Sequence, residues 1–256
     1  MKILRSSLSR KWRLTTLLVC AALAVMIRLG IWQLDRLDQR REFNRAVSIQ
    51  QSLPELVLDQ STLSLDLVAM EYRAVRVTGE YLPEEELALR NQADRGRLGY
   101  HLLTPLRVYG TETAVVVDRG WVPVDDYQPG DVGAYAVPGP VEVAGILRLG
   151  QTHPDFGGRQ DPPGEVGERL LVWNLVNLER IAAQSTVELI PVYIQQAGPG
   201  LSLEDAPPPI PSLPELELTD GPHLGYAFQW FLFALVLGAG YPFFLQRENE
   251  GNELSD

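Results

Sequence analysis

Three histidines, His101, His153 and His223, are the only side chains of this 256-residue chain that ordinarily titrate near neutrality. They lie far apart, and no HExxH or CxxC spacing surrounds them, so no single segment reads as a metal site. Lys2 and Lys11 are the only lysines, which removes any lysine base from the rest of the chain. Composition leaves a Ser-His-Asp arrangement open, yet no serine occupies the strand-turn-helix setting of a nucleophile elbow. Gly96 and Gly99 lack the third glycine and the following helix of a phosphate-cradling loop. The 33 acidic residues read first as a solvated surface, since the net charge is −11. We expect no catalytic residue. A chain this acidic also argues against a nucleic-acid partner. Its lone Cys20 allows neither an intrachain disulfide nor a dithiol redox centre.

His223 has the most informative setting. Residues 224–245 carry no acidic or basic side chain and are long enough to cross a bilayer core of roughly 30 Å as a helix. At about 100° per residue, His223, Tyr226, Ala227, Trp230, Ala234, Leu237, Gly238 and Tyr241 share one face. Ala234 and Gly238 form a small-xxx-small pair on it, which suits the close approach of another helix. Pro222 fits a first helical turn, with Asp220 or Gly221 as its cap.

The partner is expected at residues 14–33, a first apolar span that ends in Trp32 and Gln33, with Arg28 slightly deeper. The competing reading is a cleaved signal peptide with Ala22-Leu23-Ala24 as its small-residue site. If the two spans are antiparallel neighbours, Trp32 and Gln33 reach the level of His223, Tyr226, Gln229 and Trp230.

The remaining chain divides by composition. Residues 1–13 are basic and acid-free, which favours a cytoplasmic N-terminus. Residues 34–53 continue the first helix as a stalk whose charges alternate in sign. Residues 54–198 change to period-two patterning, with strands expected at 72–78, 87–90, 100–108, 114–117, 141–148 and 192–196. A hairpin turn falls at 109–112, and one soluble helix at 177–185. Gly120 reads as a bulge or turn at the end of the strand 114–117, with Trp121 capping the core. Residues 153–168 form a long Gly/Pro-rich loop, and 199–222 a Pro-rich spacer. Residues 223–245 are the second span and 246–256 an acidic cytoplasmic tail. The expected fold class is thus an α+β membrane protein, in which two transmembrane helices flank a mostly antiparallel β domain with one or two helices. It sits multi-pass in a bacterial plasma membrane with its main domain extracytoplasmic.

Four stretches, in this order, resemble the Surfeit locus protein one family of cytochrome c oxidase assembly factors. They are LGIWQLDR at 29–36, YRAVRVTGEY at 72–81, GYHLLTPL at 99–106 with VVVDRGWVP at 115–123, and HLGYAFQWF at 223–231. The family usually has asparagine before the histidine, where this chain has Asp220, Gly221 and Pro222. The resemblance implies a non-catalytic role in assembling the oxidase, through haem a insertion into its catalytic subunit. The catalytic subunit and the haem a synthesis machinery are then the expected partners, and haem a a transient cofactor. Its ligand is His223, and Tyr226, Trp230, Trp32, Gln33 and Arg36 lie around it; no other metal site is expected. Apart from the resemblance, the same layout suits a two-span anchored module that binds an extracytoplasmic ligand or partner.

Overall fold

The computed structural model describes residues 11–163, 169–198, 207–211 and 216–253, with side chains to Glu248. In order, the elements are α1 (Arg13–Ser52), β1 (Leu56–Leu58), β2 (Ala74–Tyr81), β3 (Leu87–Asp94), β4 (Arg97–Val108) and β5 (Thr113–Pro123). They continue with β6 (Val141–Arg148), β7 (Val172–Trp173), α2 (Leu178–Gln184), β8 (Glu188–Gln196) and α3 (His223–Glu253). Two compact units result, residues 1–46 with 217–256, and residues 47–216.

The first unit is an antiparallel pair of long apolar helices. On α1 the less exposed positions include 16, 19, 23, 26, 30, 33, 37, 40 and 44, in alternating steps of three and four. That 3.5-residue period is the seam of two helices packed along their length. On α3 the matching positions are His223, Ala227, Trp230, Ala234, Leu237 and Tyr241. The far faces leave large apolar side chains uncovered, with Leu17 67%, Phe228 68% and Leu235 67% exposed. Both helices are long and apolar enough to cross a membrane.

The second unit is a small barrel. β2, β6, β8, β5 and β4 are hydrogen-bonded in that order, and β2 pairs again with β4 at residues 79–81 to close the ring. β3 and β7 extend the sheet beyond β4, and β1 lies parallel to β2. Most pairings are antiparallel, but β5–β8 and β3–β7 are parallel. Alternate residues such as Val75, Val77, Leu106, Val117, Leu147 and Ile194 point inward and are fully buried. Each such side chain contributes roughly 1.5–3 kcal/mol by leaving water. α2 covers the outer face through Leu178 and Ile181, and its first turn is capped by the Asn177 side chain, which accepts the Arg180 N–H at 3.2 Å.

The strand expected to stop at 117 runs on to Pro123 instead, through a bulge. His101 faces Trp121 whereas Leu103 faces Asp118, so β5 gains one residue there. Gly120 occupies the bulge with φ +112°, and a Cβ on it would stand 2.1 Å from the Ile210 carbonyl oxygen. The absence of a side chain lets the 207–211 segment lie on the strand edge. Trp121 and Ile210 exchange two N–H···O bonds, each 2.8 Å. The Pro-rich spacer expected at 199–222 is therefore clasped at this point; residues 199–206 and 212–215 lie outside the described part. So do residues 164–168 of the long loop. Its earlier part is fixed by the buried Asp161 carboxylate, which accepts the N–H groups of Asn174 and Leu175.

Candidate functional site

The helix pair brings His223 and Gln33 together. Their Nδ1 and Oε1 atoms are 2.8 Å apart, so with the amide oxygen toward the ring, Nδ1–H donates and Nε2 keeps the lone pair. Gly30, one turn before Gln33, makes this closeness possible. A Cβ there would stand 2.6 Å from the Phe231 ring, which fills the notch. Further along the seam, a Cβ on Gly238 would stand 3.7 Å from the Leu23 side chain, and the Thr16 and Tyr241 hydroxyls meet at 2.6 Å.

The chain reaches His223 under restraint. Arg40 donates to the Glu217 and Thr219 carbonyls at 2.6 and 3.2 Å, and Asn44 to that of Thr219 at 3.1 Å. Arg41 pairs with Asp220 at 2.9 Å. Asp220 is thus turned to α1 and does not cap α3. The helix begins at His223, and the Pro222 carbonyl accepts the Tyr226 N–H, so Pro222 precedes the first turn.

Of the other expected residues, Trp230 is half-buried at the seam and meets Phe233 edge-on at 6.3 Å. Tyr226 and Trp32 are not packed in the seam, being 47% and 38% exposed. Their placement still converges. Each lies one residue before a seam position, Ala227 and Gln33, hence about 100° round its helix. In an antiparallel pair these two rotations lead to the same flank. His223, Trp230 and Arg36 turn to that flank by smaller angles, about 40° to 60° by the same geometry. Arg36 stands 5.6 Å from the Trp32 ring centroid and donates to Gln39. By this spacing His223, Tyr226, Trp230, Trp32 and Arg36 all lie on, or are turned toward, one flank of the helix pair.

The barrel holds a different kind of polar group. Glu86 is buried and accepts from Thr104 Oγ1 at 2.7 Å, Arg119 Nη1 at 3.2 Å and Tyr127 Oη at 3.2 Å. Arg119 also lies 4.7 Å from the Tyr81 ring centroid. Burial pushes the Tyr81 hydroxyl up to about 12, the Arg119 charge opposing the shift. Burial also raises Tyr127, reinforced by the neighbouring Glu86 charge. His101 pairs with the buried Asp118 at 2.9 Å, and Asp118 also accepts the Gly120 N–H. His153 bonds to Thr152 on the exposed loop. The three histidines thus make separate contacts, each at its Nδ1. Reading the carboxylates as a solvated face was wrong for Glu85, Glu86, Asp118 and Asp161, all buried with partners. Nothing local in the sequence marks them, because their partners come from distant strands. Among the described residues, no three His, Cys, Asp or Glu side chains are grouped to hold a bare metal ion.

Two long apolar helices that bracket a β-rich barrel domain, with a histidine at the start of the second, define a compact architectural class. A family model described as the SURF1 family matches residues 20–235. The chain belongs to the SURF1 family. It is 27% identical to a SURF1-like protein of Caenorhabditis briggsae over 88% of this chain and 74% of that one. It is 26% identical to one of Rickettsia felis over 87% and 93%, and 29% identical to an uncharacterised one of Mycobacterium bovis over 86% and 78%.

Proposed function

We propose that this chain is a membrane-anchored, non-catalytic assembly factor for cytochrome c oxidase that holds haem a at His223 before its insertion into the catalytic subunit. The observation that carries the reading is the His223–Gln33 bond, which, with the proton on Nδ1, leaves the Nε2 lone pair as the candidate ligand. A bare ion asks for three or four protein donors, whereas haem brings four nitrogens of its own and needs one axial imidazole. The donor set fits haem. When bound, haem supplies the iron and the flat apolar ring; the chain supplies one ligand, aromatic surfaces, and Arg36 for a propionate.

The spans of the proposal have a physical ruler. Trp12, just before α1, and Trp32 on it are separated by about 30 Å at 1.5 Å per residue, and Tyr226 and Phe244 on α3 by about 27 Å. Those spacings match two interfacial aromatic belts across one bilayer core. The basic residues 1–13 favour the cytoplasmic side of a bacterial plasma membrane, which puts the barrel outside.

The test is haem titration of the detergent-purified protein and of His223→Ala, beside oxidase haem content in a deletion strain. We expect the alanine variant to lose the low-spin absorbance change and the deletion to lower haem and activity. An unchanged titration would sink the ligand role, and normal oxidase the assembly role.

One observation favours a second reading, a ligand-binding module. The barrel unit has a cavity of about 440 Å³ lined by Val68, Leu149, Leu178, Ala182, Leu189 and Ile190. Ala182→Trp would fill it; under this reading that substitution abolishes function while haem binding persists.

A further inference from the structure

We propose that Gln33 is a positioning residue for His223, one that fixes which nitrogen binds and keeps the ligand weak enough to let go. The inference rests on the reading of His223 as a haem ligand. A neutral imidazole can carry its proton on either nitrogen, and the hydrogen bond made by one decides which lone pair is free. Here the Gln33 amide oxygen holds the proton on Nδ1 and so leaves the lone pair on Nε2.

Gln33 is not placed there by chance of surface. It occupies a seam position whose neighbours in the same register are Met26, Gly30 and Leu37. An amide among such positions is retained only where it finds a partner across the interface. The Gly30 notch filled by Phe231 fixes the helix separation one turn away, so the amide reaches the ring without slack.

The neutral amide matters as much as its place. Second-shell carboxylates draw the imidazole proton and raise the basicity of the ligand. Charged acceptors make bonds roughly twice as strong as neutral ones. An amide instead orients the ring while leaving it an ordinary imidazole. A protein that stores haem gains from a carboxylate here. One that passes haem on gains from glutamine, because release is part of its task.

The test compares Gln33→Leu and Gln33→Glu with wild type and His223→Ala, all as full-length protein in detergent. Three readouts are taken: imidazole nitrogen NMR without haem, haem titration, and haem release to excess apomyoglobin. In wild type the NMR should show the proton on Nδ1, and in Gln33→Leu that signature should vanish. Haem affinity of Gln33→Leu should fall about 10- to 100-fold, the usual range for lost second-shell partners. Gln33→Glu keeps the side-chain shape, so it tests the idea even if the leucine variant packs poorly; it should bind more tightly and release more slowly. If His223→Ala weakens binding but both Gln33 variants bind and release like wild type, the positioning role is wrong and the ligand reading stands. If His223→Ala also binds normally, the ligand reading itself has failed.

Discussion

The helix pair and the barrel treat polar and apolar groups in opposite ways. The barrel hides its valines and leucines and buries Glu86 and Arg119, both under a tenth exposed, as a hydrogen-bonded ion pair. The helix pair leaves Leu14 70%, Val25 57% and Val236 62% exposed, and polar side chains meet across its seam at Gln33–His223 and Thr16–Tyr241. The same chain is therefore built for two surroundings. One unit excludes water from its interior; the other presents its apolar surface outward and keeps hydrogen bonds inside. In such a pair the seam contributes position more than bulk stability, and it is the seam that carries the candidate ligand.

The most damaging way to break the barrel side of this contrast is to orphan its buried charge. Arg119→Ala leaves Glu86 without its ionic partner and strips the cation from the Tyr81 ring. Removal of one member of a buried pair costs about 3–5 kcal/mol. Urea unfolding followed by tryptophan fluorescence should show that loss. The double variant Glu86→Gln with Arg119→Met should recover part of it, since no charge is then left buried alone.

Alkaline pH attacks the same region more gently. Tyr81 and Tyr193 are both pushed up to about 12, chiefly by burial. In the unfolded chain they ionise near 10, so between pH 10 and 12 the unfolded state sheds its protons first. Stability is fully present below about pH 10 and falls as pH rises through that window, by about 2–3 kcal/mol for each tyrosine at its end. Equilibrium unfolding at stepped pH checks this, and Tyr81→Phe should flatten the decline.

On the helix side, Gly30→Leu drives a side chain into the Phe231 ring. Overpacking of this kind costs about 1–3 kcal/mol. Val25→Leu, on the uncovered face, should cost nothing measurable. Thermal loss of helical signal in detergent distinguishes the two, and equal behaviour would mean that Gly30 is not a packing notch.

These outcomes track what could be read from sequence. The seam was legible because His223, Ala227, Trp230 and Ala234 follow helical spacing, and the strands because residues 72–78 and 141–148 alternate. The helix expected at 177–185 is observed at Leu178–Gln184, with Asn177 as its cap. Tyr226 was placed in the seam by a face about one residue too wide, and of the two caps expected, Asp220 or Gly221, Asp220 pairs with Arg41 instead. Barrel closure through β2–β4 and the parallel β5–β8 pair left no local trace, since each joins residues far apart in sequence. The continuation of β5 past Gly120 was hidden by the bulge, which interrupts the alternation that marks a strand. Phe231 in the Gly30 notch was missed for a simpler reason: each half of the contact looks unremarkable until the helices are set in register.

The smallest expected effect sharpens the division of labour at the start of α3. Arg41 and Asp220 are about half exposed as side chains, at 48% and 50%. Such pairs contribute roughly 0–1 kcal/mol and weaken with salt. Asp220→Asn should therefore leave stability and the His223 environment nearly unchanged at physiological ionic strength. Arg40 is different in kind, because its guanidinium bonds to the main-chain carbonyls of Glu217 and Thr219. Those bonds hold the backbone that leads into the turn at Gly221 and so set where His223 begins its helix. Arg40→Ala should broaden the His223 ring resonances and raise amide exchange over the first turn of α3, although its own free-energy cost is near 1–2 kcal/mol. If Asp220→Asn perturbs His223 as much as Arg40→Ala does, the ion pair and not the backbone clasp positions the histidine.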